Sequence, residues 1–175
     1  MPLSVFISHA VGPAEIPIVN HLVAALNGAG VNAYLAMYDR DPGNPLGSKV
    51  QDQIERSDIV LVILTKKGVE SAWVNQEVGL AMGKGKRIIP FVEKGLTPEG
   101  LLHGVEYFPF DPDKPWEKVG SMATQIALLG TRQQLAQTQV ALVEAQNDAT
   151  RNAEIAAAVV TIGLVLLLIW ALSRE

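Results

Sequence analysis

The sequence contains no cysteine among its 175 residues. This absence excludes a disulfide-stabilised scaffold, a cysteine nucleophile and a metal site with thiolate ligands. Charged residues are also few, at 18% of the chain, and the formal net charge of -4 leaves no excess of Lys and Arg. A general binder of phosphate backbones needs such an excess, so no nucleic acid partner is expected. The three histidines are scattered, which predicts neither a metal site nor a Ser-His-Asp triad.

Hydrophobic residues, by contrast, make up 49% of the chain, and Ile155–Leu172 is a stretch of eighteen residues without a charge. At roughly 1.5 Å per helical residue it would span about 27 Å, close to the hydrocarbon thickness of a bilayer. Trp170 lies near one end, where an interfacial aromatic ring is favoured. The stretch predicts a single membrane-spanning helix, residues 155–172, as a carboxy-terminal anchor; a buried core helix is the alternative. No signal peptide is expected, so the globular part is predicted to lie in the cytoplasm.

A glutamine-rich segment precedes that stretch. Residues 131–152 contain neither Pro nor Gly and include five glutamines. Apolar residues recur every seven positions along one stripe, at Leu128, Leu135, Leu142 and Ala149. The pattern predicts a helical stalk over residues 130–154, which is either solvated or paired with copies of itself.

Residues 1–129 alternate between strand and helix patterns. The third strand pattern, IVLVILT, is continuously apolar and β-branched, which is typical of a strand buried on both faces. The alternation predicts an α/β domain with a mostly parallel five-stranded sheet and helices on both faces. The predicted strands are Leu3–Ser8, Val31–Leu35, Ile59–Thr65, Arg87–Val92 and Val105–Phe108, and the predicted helices are Glu15–Ala29, Lys49–Arg56, Trp73–Gly83 and residues 113–129.

Ligands of such sheets bind beyond the carboxyl ends of the strands. Three segments follow the first three predicted strands, namely Ser8–Ala10, residues 38–43 and Ser71–Glu77. We expect these segments to converge at one edge of the sheet, and they contain most of the candidate chemistry.

Trp73 and Glu77 stand four residues apart in a predicted helix, so they share one face. The structural alternative is that Trp73 only packs and that Glu77 is favoured by the macrodipole of the helix. A flat aromatic ring beside a carboxylate can also stack on a planar base. The carboxylate can stabilise the oxocarbenium-like centre that forms when a glycosidic bond breaks.

Four motifs in order resemble the prokaryotic type of Toll/interleukin-1 receptor (TIR) domain. They are VFISHA at 5–10, AYLAMYDRDPGNPLGSKV at 33–50, IERSDIVLVILT at 54–65 and SAWVNQEVGLAMGKGKRIIPFVE at 71–93. The resemblance runs almost continuously from Val5 to about Phe110. It implies a flavodoxin-like fold and, in many bacterial, archaeal and plant members, hydrolysis of NAD+ at the nicotinamide–ribose bond.

The resemblance also implies roles for individual residues. The glutamate of its Ser-x-Trp-x-x-x-Glu pattern is catalytic and corresponds to Glu77, while Trp73 would pack against the nicotinamide end. The floor of the nucleotide site would be formed by Ser8, His9 and Ala10. A loop containing Asp39, Asp41 and Gly43 would cover the substrate and meet a neighbouring TIR domain. NAD+ is then the substrate, and neither a cofactor nor a metal is implied. The usual acidic residues directly after Ala10 are missing from this sequence.

Together these features predict a membrane-anchored NAD+ glycohydrolase with a role in antiviral or immune signalling. Its expected partners are NAD+, membrane lipid and further copies of itself, since TIR sites are typically completed by a neighbouring copy. One alternative is a scaffold without activity that recruits other TIR domains, against which the Trp73–Glu77 pair argues. The other is a hydrolase resembling nucleoside deoxyribosyltransferases, against which the Asp-Pro-Gly loop argues.

Overall fold

The computed structural model describes residues 2–13, 15–35 and 46–172, with the backbone alone for Leu46 and residues 165–172. The chain divides into two compact units, residues 1–130 and 131–175. The first unit contains the whole of the described sheet, and the described residues of the second unit are helical.

The sheet of the first unit has five parallel strands within the described residues, in the order β2-β1-β3-β4-β5. This is the flavodoxin-like order, and the predicted α/β fold with a parallel five-stranded sheet is confirmed. The central strand β3 is buried at every residue, as its apolar sequence predicts. The strands are β1 (Ser4–Ser8), β2 (Asn32–Tyr34), β3 (Ile59–Leu64), β4 (Arg87–Glu93) and β5 (Phe108–Phe110).

The last strand begins three residues later than the sequence predicts. Val105 belongs to a turn, because its backbone N–H donates to the carbonyl of Leu102 at the end of a short 3₁₀ turn. The strand pairs instead through Phe108–Phe110, and the Phe110 ring stacks on Phe91 with centroids 4.4 Å apart. This strand is at the edge of the sheet, where a proline such as Pro109 is tolerated. Burial of a large ring therefore decided the register over the β propensity of Val105.

Helices cover both faces of the sheet. On one face, α1 and the first turns of α5 pack on Val5 and Ile7 of β1. On the other face, α2 and α4 pack on Phe6. The alternation of these three residues across β1 explains why both faces need a cover. The helices are α1 (Glu15–Gly28), α2 (Leu46–Arg56), α3 (Lys66–Glu70), α4 (Ala72–Gly83) and α5 (Trp116–Leu172).

Helix α5 is 57 residues long and includes both the predicted stalk and the predicted membrane-spanning segment. Its first turns are buried in the core at Val119, Met122 and Ile126. From residue 131 to residue 164 every side chain is exposed. Within the part of the chain that the structure describes, no helix is long and apolar enough to cross a membrane. The membrane-spanning helix predicted over residues 155–172 thus gains no support here, and the side chains of residues 165–172 lie outside the described part.

Candidate functional site

Helix α4 presents the two residues that the sequence singles out. The Ser71 hydroxyl accepts a hydrogen bond from the backbone N–H of Val74 at 3.3 Å, so Ser71 is the N-cap. The helix then buries Val74, Val78 and Ala81 against the sheet. Glu77 follows Val74 by three residues and therefore lies on this same apolar face.

Glu77 is only 4% exposed, although it carries a carboxyl group. Its Oε2 atom has no hydrogen-bond partner among the described residues, and the same holds for the hydroxyl of buried Ser8. A buried carboxylate without full pairing is costly, because the charged form loses its hydration. Such a group is unusual in a core and common at functional sites.

Burial raises the pKa of Glu77 from its ordinary value of 4.5 to about 7. The Ser8 hydroxyl and the Trp73 side chain partly oppose this rise, since both approach the carboxyl group as donors. Neither approach amounts to a well-formed hydrogen bond to Oε2, because that atom is without a partner in the described part of the chain. Desolvation therefore dominates, and Glu77 exchanges its proton near neutral pH.

A cleft of about 100 Å³ opens beside Glu77, between α2 and α4. Trp73 is half-buried at this cleft, with its ring packed against the apolar core of that face. The cleft is lined by Gly47, Val50, Trp73, Gln76, Glu77 and Leu80. The surface is thus largely apolar with one buried carboxyl group, as is common for small-molecule sites.

The far ends of α2 and α4 are joined by two lysines. Lys84 Nζ lies 2.6 Å from Glu55 Oε1, and Lys86 Nζ donates to the Glu55 carbonyl at 2.5 Å. The second contact places a positive charge at the carboxyl end of α2, where the macrodipole favours it. These contacts hold together the two helices that line the cleft.

The other predicted site residues are divided between those near Glu77 and those away from it. Ser8 ends β1 and is buried, and its hydroxyl, which has no hydrogen-bond partner among the described residues, is one of the groups that lower the pKa of Glu77. His9 and Ala10 are buried but do not line the cleft. The His9 Nδ1 atom lies 2.8 Å from the Ala10 carbonyl and must donate to it, since a carbonyl only accepts. Three further predicted residues, Asp39, Asp41 and Gly43, lie outside the described residues.

Sequence reasoning missed several lining residues, although a signal for two of them was present. Gln76 and Leu80 follow Trp73 by three and seven residues, the spacing of one helical face. Gly47 and Val50 come from α2, and their place opposite Trp73 depends on how the two helices pack. The described residues contain no group of three or more His, Asp and Glu side chains that could hold a metal ion.

The fold and the cleft define an α/β domain in which a largely apolar cleft contains the buried carboxyl group of Glu77. The family model described as "TIR domain" matches residues 5–122, so the chain belongs to the TIR domain family. No curated protein matches the sequence.

Solved structures of three kinds share the fold. The TIR domain of the Toll-related receptor TRR-2 from Hydra magnipapillata is 22% identical over 68% of this chain and 96% of its own, with a TM-score of 0.55. The CMP N-glycosidase BcmB from Clostridium botulinum is 19% identical, covering 65% and 93%, with a TM-score of 0.51. A 2-deoxyribosyltransferase from Bacillus psychrosaccharolyticus is 13% identical, covering 67% and 90%, with a TM-score of 0.54. At these identities the likeness concerns the fold.

Proposed function

We propose that this protein is an NAD+ glycohydrolase in which Glu77 is the catalytic residue. The observation that carries the proposal is the burial of Glu77 in an apolar cleft, with a pKa of about 7. A catalytic carboxyl group works best when its pKa lies near the working pH. The TIR resemblance supplies the substrate, because its catalytic glutamate corresponds to this residue.

The chemistry needs only one carboxylate. When the bond between C1′ of the ribose and N1 of nicotinamide breaks, the electron pair goes to N1 and neutralises the pyridinium ring. Nicotinamide therefore leaves without help from an acid, whereas many O-glycosidases use a second carboxyl group for that task. The ionised Glu77 stabilises the cationic C1′ centre and then accepts a proton from the water that adds to it. Trp73 offers a flat surface against which the nicotinamide ring packs.

The direct test is to incubate the purified full chain with NAD+ and to measure free nicotinamide by chromatography. We expect nicotinamide and an ADP-ribose product in equal amounts, and no release from the Glu77→Gln variant. A matched control is Glu70→Gln, which changes an exposed glutamate two residues before α4. An inactive wild-type protein at high concentration would contradict the proposal and favour the scaffold alternative.

A second candidate is an N-glycosidase for nucleotides or nucleosides. It is favoured by the shared fold of the CMP N-glycosidase and the 2-deoxyribosyltransferase. The same cleft and carboxyl group would then act on a nucleobase instead of nicotinamide. Parallel assays with CMP and with deoxynucleosides distinguish the two candidates by the base that is released.

Two further proposals concern the setting of the reaction. We infer self-association through TIR–TIR contacts from the family resemblance, and membrane attachment from the uncharged sequence of residues 155–172. Confinement to a membrane would raise the local concentration of the domains and favour pairing. Liposome flotation at high salt tests the attachment, and specific activity across a dilution series tests the pairing. Flotation equal to that of a chain ending at residue 130 would contradict the anchor.

A further inference from the structure

Helix α5 has an exposed apolar face as well as the face that the TIR domain buries. In the first unit its buried residues include Val119, Met122 and Ile126, which belong to the core. Leu128 follows Ile126 by two residues, which is about 200° around a helix. It is 52% exposed. The domain thus covers one face of the helix, and Leu128 lies on the opposite face.

The exposed face continues through the second unit at alternating steps of three and four residues. Leu135 and Leu142 are 60% and 59% exposed, and every side chain of residues 131–164 is exposed. Such steps average 3.5 residues, the period at which two helices wind around each other. We call this set of residues the stripe, and it consists of Leu128, Thr131, Leu135, Thr138, Leu142, Ala145 and Ala149.

Threonine at a stripe position keeps its hydroxyl within its own helix. Thr138 Oγ1 donates to the Gln134 carbonyl at 2.9 Å, one turn earlier. Thr124, which precedes Thr138 by two heptads, makes the same kind of bond to the Gly120 carbonyl at 3.0 Å. The hydroxyl proton therefore already has an acceptor. Thr138 can pack against another helix without leaving this donor unpaired.

The residues beside the stripe allow a second copy to approach. The flanking positions are Arg132, Gln134, Gln139, Ala141, Gln146 and Asp148. Only Arg132 and Asp148 among them are charged. In a parallel pair of helices, equivalent flanking positions lie on opposite sides of the seam, so neither charge faces its own counterpart. Two copies therefore meet no like charge along the seam.

A membrane surface fits this stripe less well than a second copy does. Helices that lie on membranes are rich in Lys and Arg on their polar face. Residues 131–154 contain two arginines, three acidic residues and no lysine. A second copy, by contrast, offers a stripe of the same period and the same length.

We propose that the stripe is a self-association surface, through which two copies of this chain pair in parallel and in register. In that arrangement each leucine meets its own counterpart, whereas an antiparallel pair places it against threonine or alanine. The stripe covers about three heptads, which is short for a coiled coil, so pairing depends on the local concentration of the chains. This contact is separate from the TIR–TIR contacts inferred above, and it needs neither NAD+ nor Glu77.

Single cysteines test the proposal in the full chain, because the natural sequence contains none. The stripe variants are Thr138→Cys and Ala149→Cys, and the matched controls are Val140→Cys and Val143→Cys, at exposed positions off the stripe. A disulfide needs Cα atoms within about 7 Å of each other, and a parallel pair provides this distance only along its seam. Under mild oxidation we expect the stripe variants to form linked dimers about tenfold faster than the controls.

A second comparison removes the leucines. Leu135→Gln with Leu142→Gln changes the stripe, and Val140→Gln with Val143→Gln changes two exposed apolar residues away from it. Each double variant also has Ala149→Cys as the reporter. We expect dimer formation to slow by about tenfold in the leucine variant and to stay within about twofold in the valine variant. Circular dichroism shows whether α5 stays helical in both.

A gain of pairing is expected from Thr138→Val, again with Ala149→Cys as the reporter. This change replaces a hydroxyl by a methyl group on the stripe, so it should speed dimer formation. If the leucine variant loses its helix, Thr138→Val decides the test. An unchanged or lower rate would then overturn the proposal.

Two patterns of crosslinking would also overturn it. Equal rates at all four cysteines would mean that TIR–TIR contacts or a shared membrane bring the chains together without the stripe. Linkage of Thr138→Cys to Ala149→Cys chains in a mixture, with neither linking to itself, would show an antiparallel pair. A protein that pairs through the stripe but does not cleave NAD+ refutes the proposed function alone, because crosslinking needs no substrate.

Discussion

Two buried glutamates lie on opposite faces of one sheet, and their surroundings differ. Glu15 begins α1, on the face that also packs α5, and Glu77 belongs to α4 on the other face. They are 1% and 4% exposed. Each has an Oε2 atom without a hydrogen-bond partner among the described residues. The Oε1 atom of Glu15, however, accepts from the Thr65 hydroxyl at 2.7 Å, and Glu15 stands at a helix N-terminus, where negative charge is favoured. Glu77 stands in the middle of its helix among valines, and its pKa rises to about 7.

The difference shows what a buried carboxyl group does in each place. The side chain of Glu15 joins the start of α1 to Thr65, the residue directly after β3. Glu77 contributes little to the structure, since the fold must bury a group that prefers water. A residue that lowers stability in a cleft is typical of a functional site. Glu15, on the other face of the sheet, makes a contact that is typical of a structural role.

The largest expected effect is on catalysis. Glu77→Gln should lower nicotinamide release by about 10²–10⁴-fold, because the amide can neither take up a proton nor balance a cation. The same change at Glu15 should leave most of the activity, since the amide oxygen still accepts from Thr65. Initial rates with NAD+ measure both, and circular dichroism confirms that both variants are folded. More than half of the activity in Glu77→Gln would show that this glutamate is not catalytic.

The next effect is the pH dependence of the rate. The ionised form of Glu77 is the active one, and its pKa lies at about 7. Because activity needs the group without its proton, kcat/KM should rise with pH and level off above pH 8, falling about tenfold per pH unit below pH 6. A rate profile between pH 5 and 9 checks this. A midpoint near 4.5 would mean that Glu77 is hydrated in solution.

Stability should change in opposite directions at the two glutamates. The folded-state pKa of Glu77 lies above its ordinary value, so its contribution to stability is complete below pH 4.5 and is lost as the pH rises through about 7. At pH 8 the Glu77→Gln variant should therefore be more stable than the wild type by about 3 kcal/mol, with no difference near pH 4.

Glu15→Gln should instead be about 1 kcal/mol less stable at pH 8, because it loses its charge at the start of α1. Urea unfolding of both variants at the two pH values gives these differences. Destabilisation by Glu77→Gln at pH 8 would remove the contrast between the two sites.

The smallest effect is expected at Trp73. Its ring is half-buried, so Trp73→Ala should raise KM for NAD+ by up to about tenfold as the stacking surface is lost. Trp73→Phe, the matched control, should retain most of the affinity. The loss of stability should stay below the ~3–5 kcal/mol of a fully buried tryptophan. A larger loss together with an unchanged KM would identify Trp73 as a packing residue.

Much of this arrangement is encoded in local patterns. The apolar run of β3 indicated a central strand, and the spacing of Trp73 and Glu77 indicated a shared helical face. Such patterns depend on neighbours within a few residues, so they can be interpreted without the fold. The position of β5 could not be derived in this way, because it depends on the stacking of Phe110 on a strand seventeen residues or more away.

The properties that bear on function needed the tertiary structure. The spacing of Glu77 predicts that it shares a helical face with Trp73. Its burial, however, depends on how α4 packs against the sheet and α2. The bond of Glu15 to Thr65 joins residues fifty positions apart, and no periodicity indicates it. The contact of Lys84 with Glu55 likewise joins the ends of two helices that the sequence separates by a strand and a short helix. Charge, pKa and access to a cleft are set by atoms that are distant in sequence but close in space, and the chain brings those atoms together only when it folds.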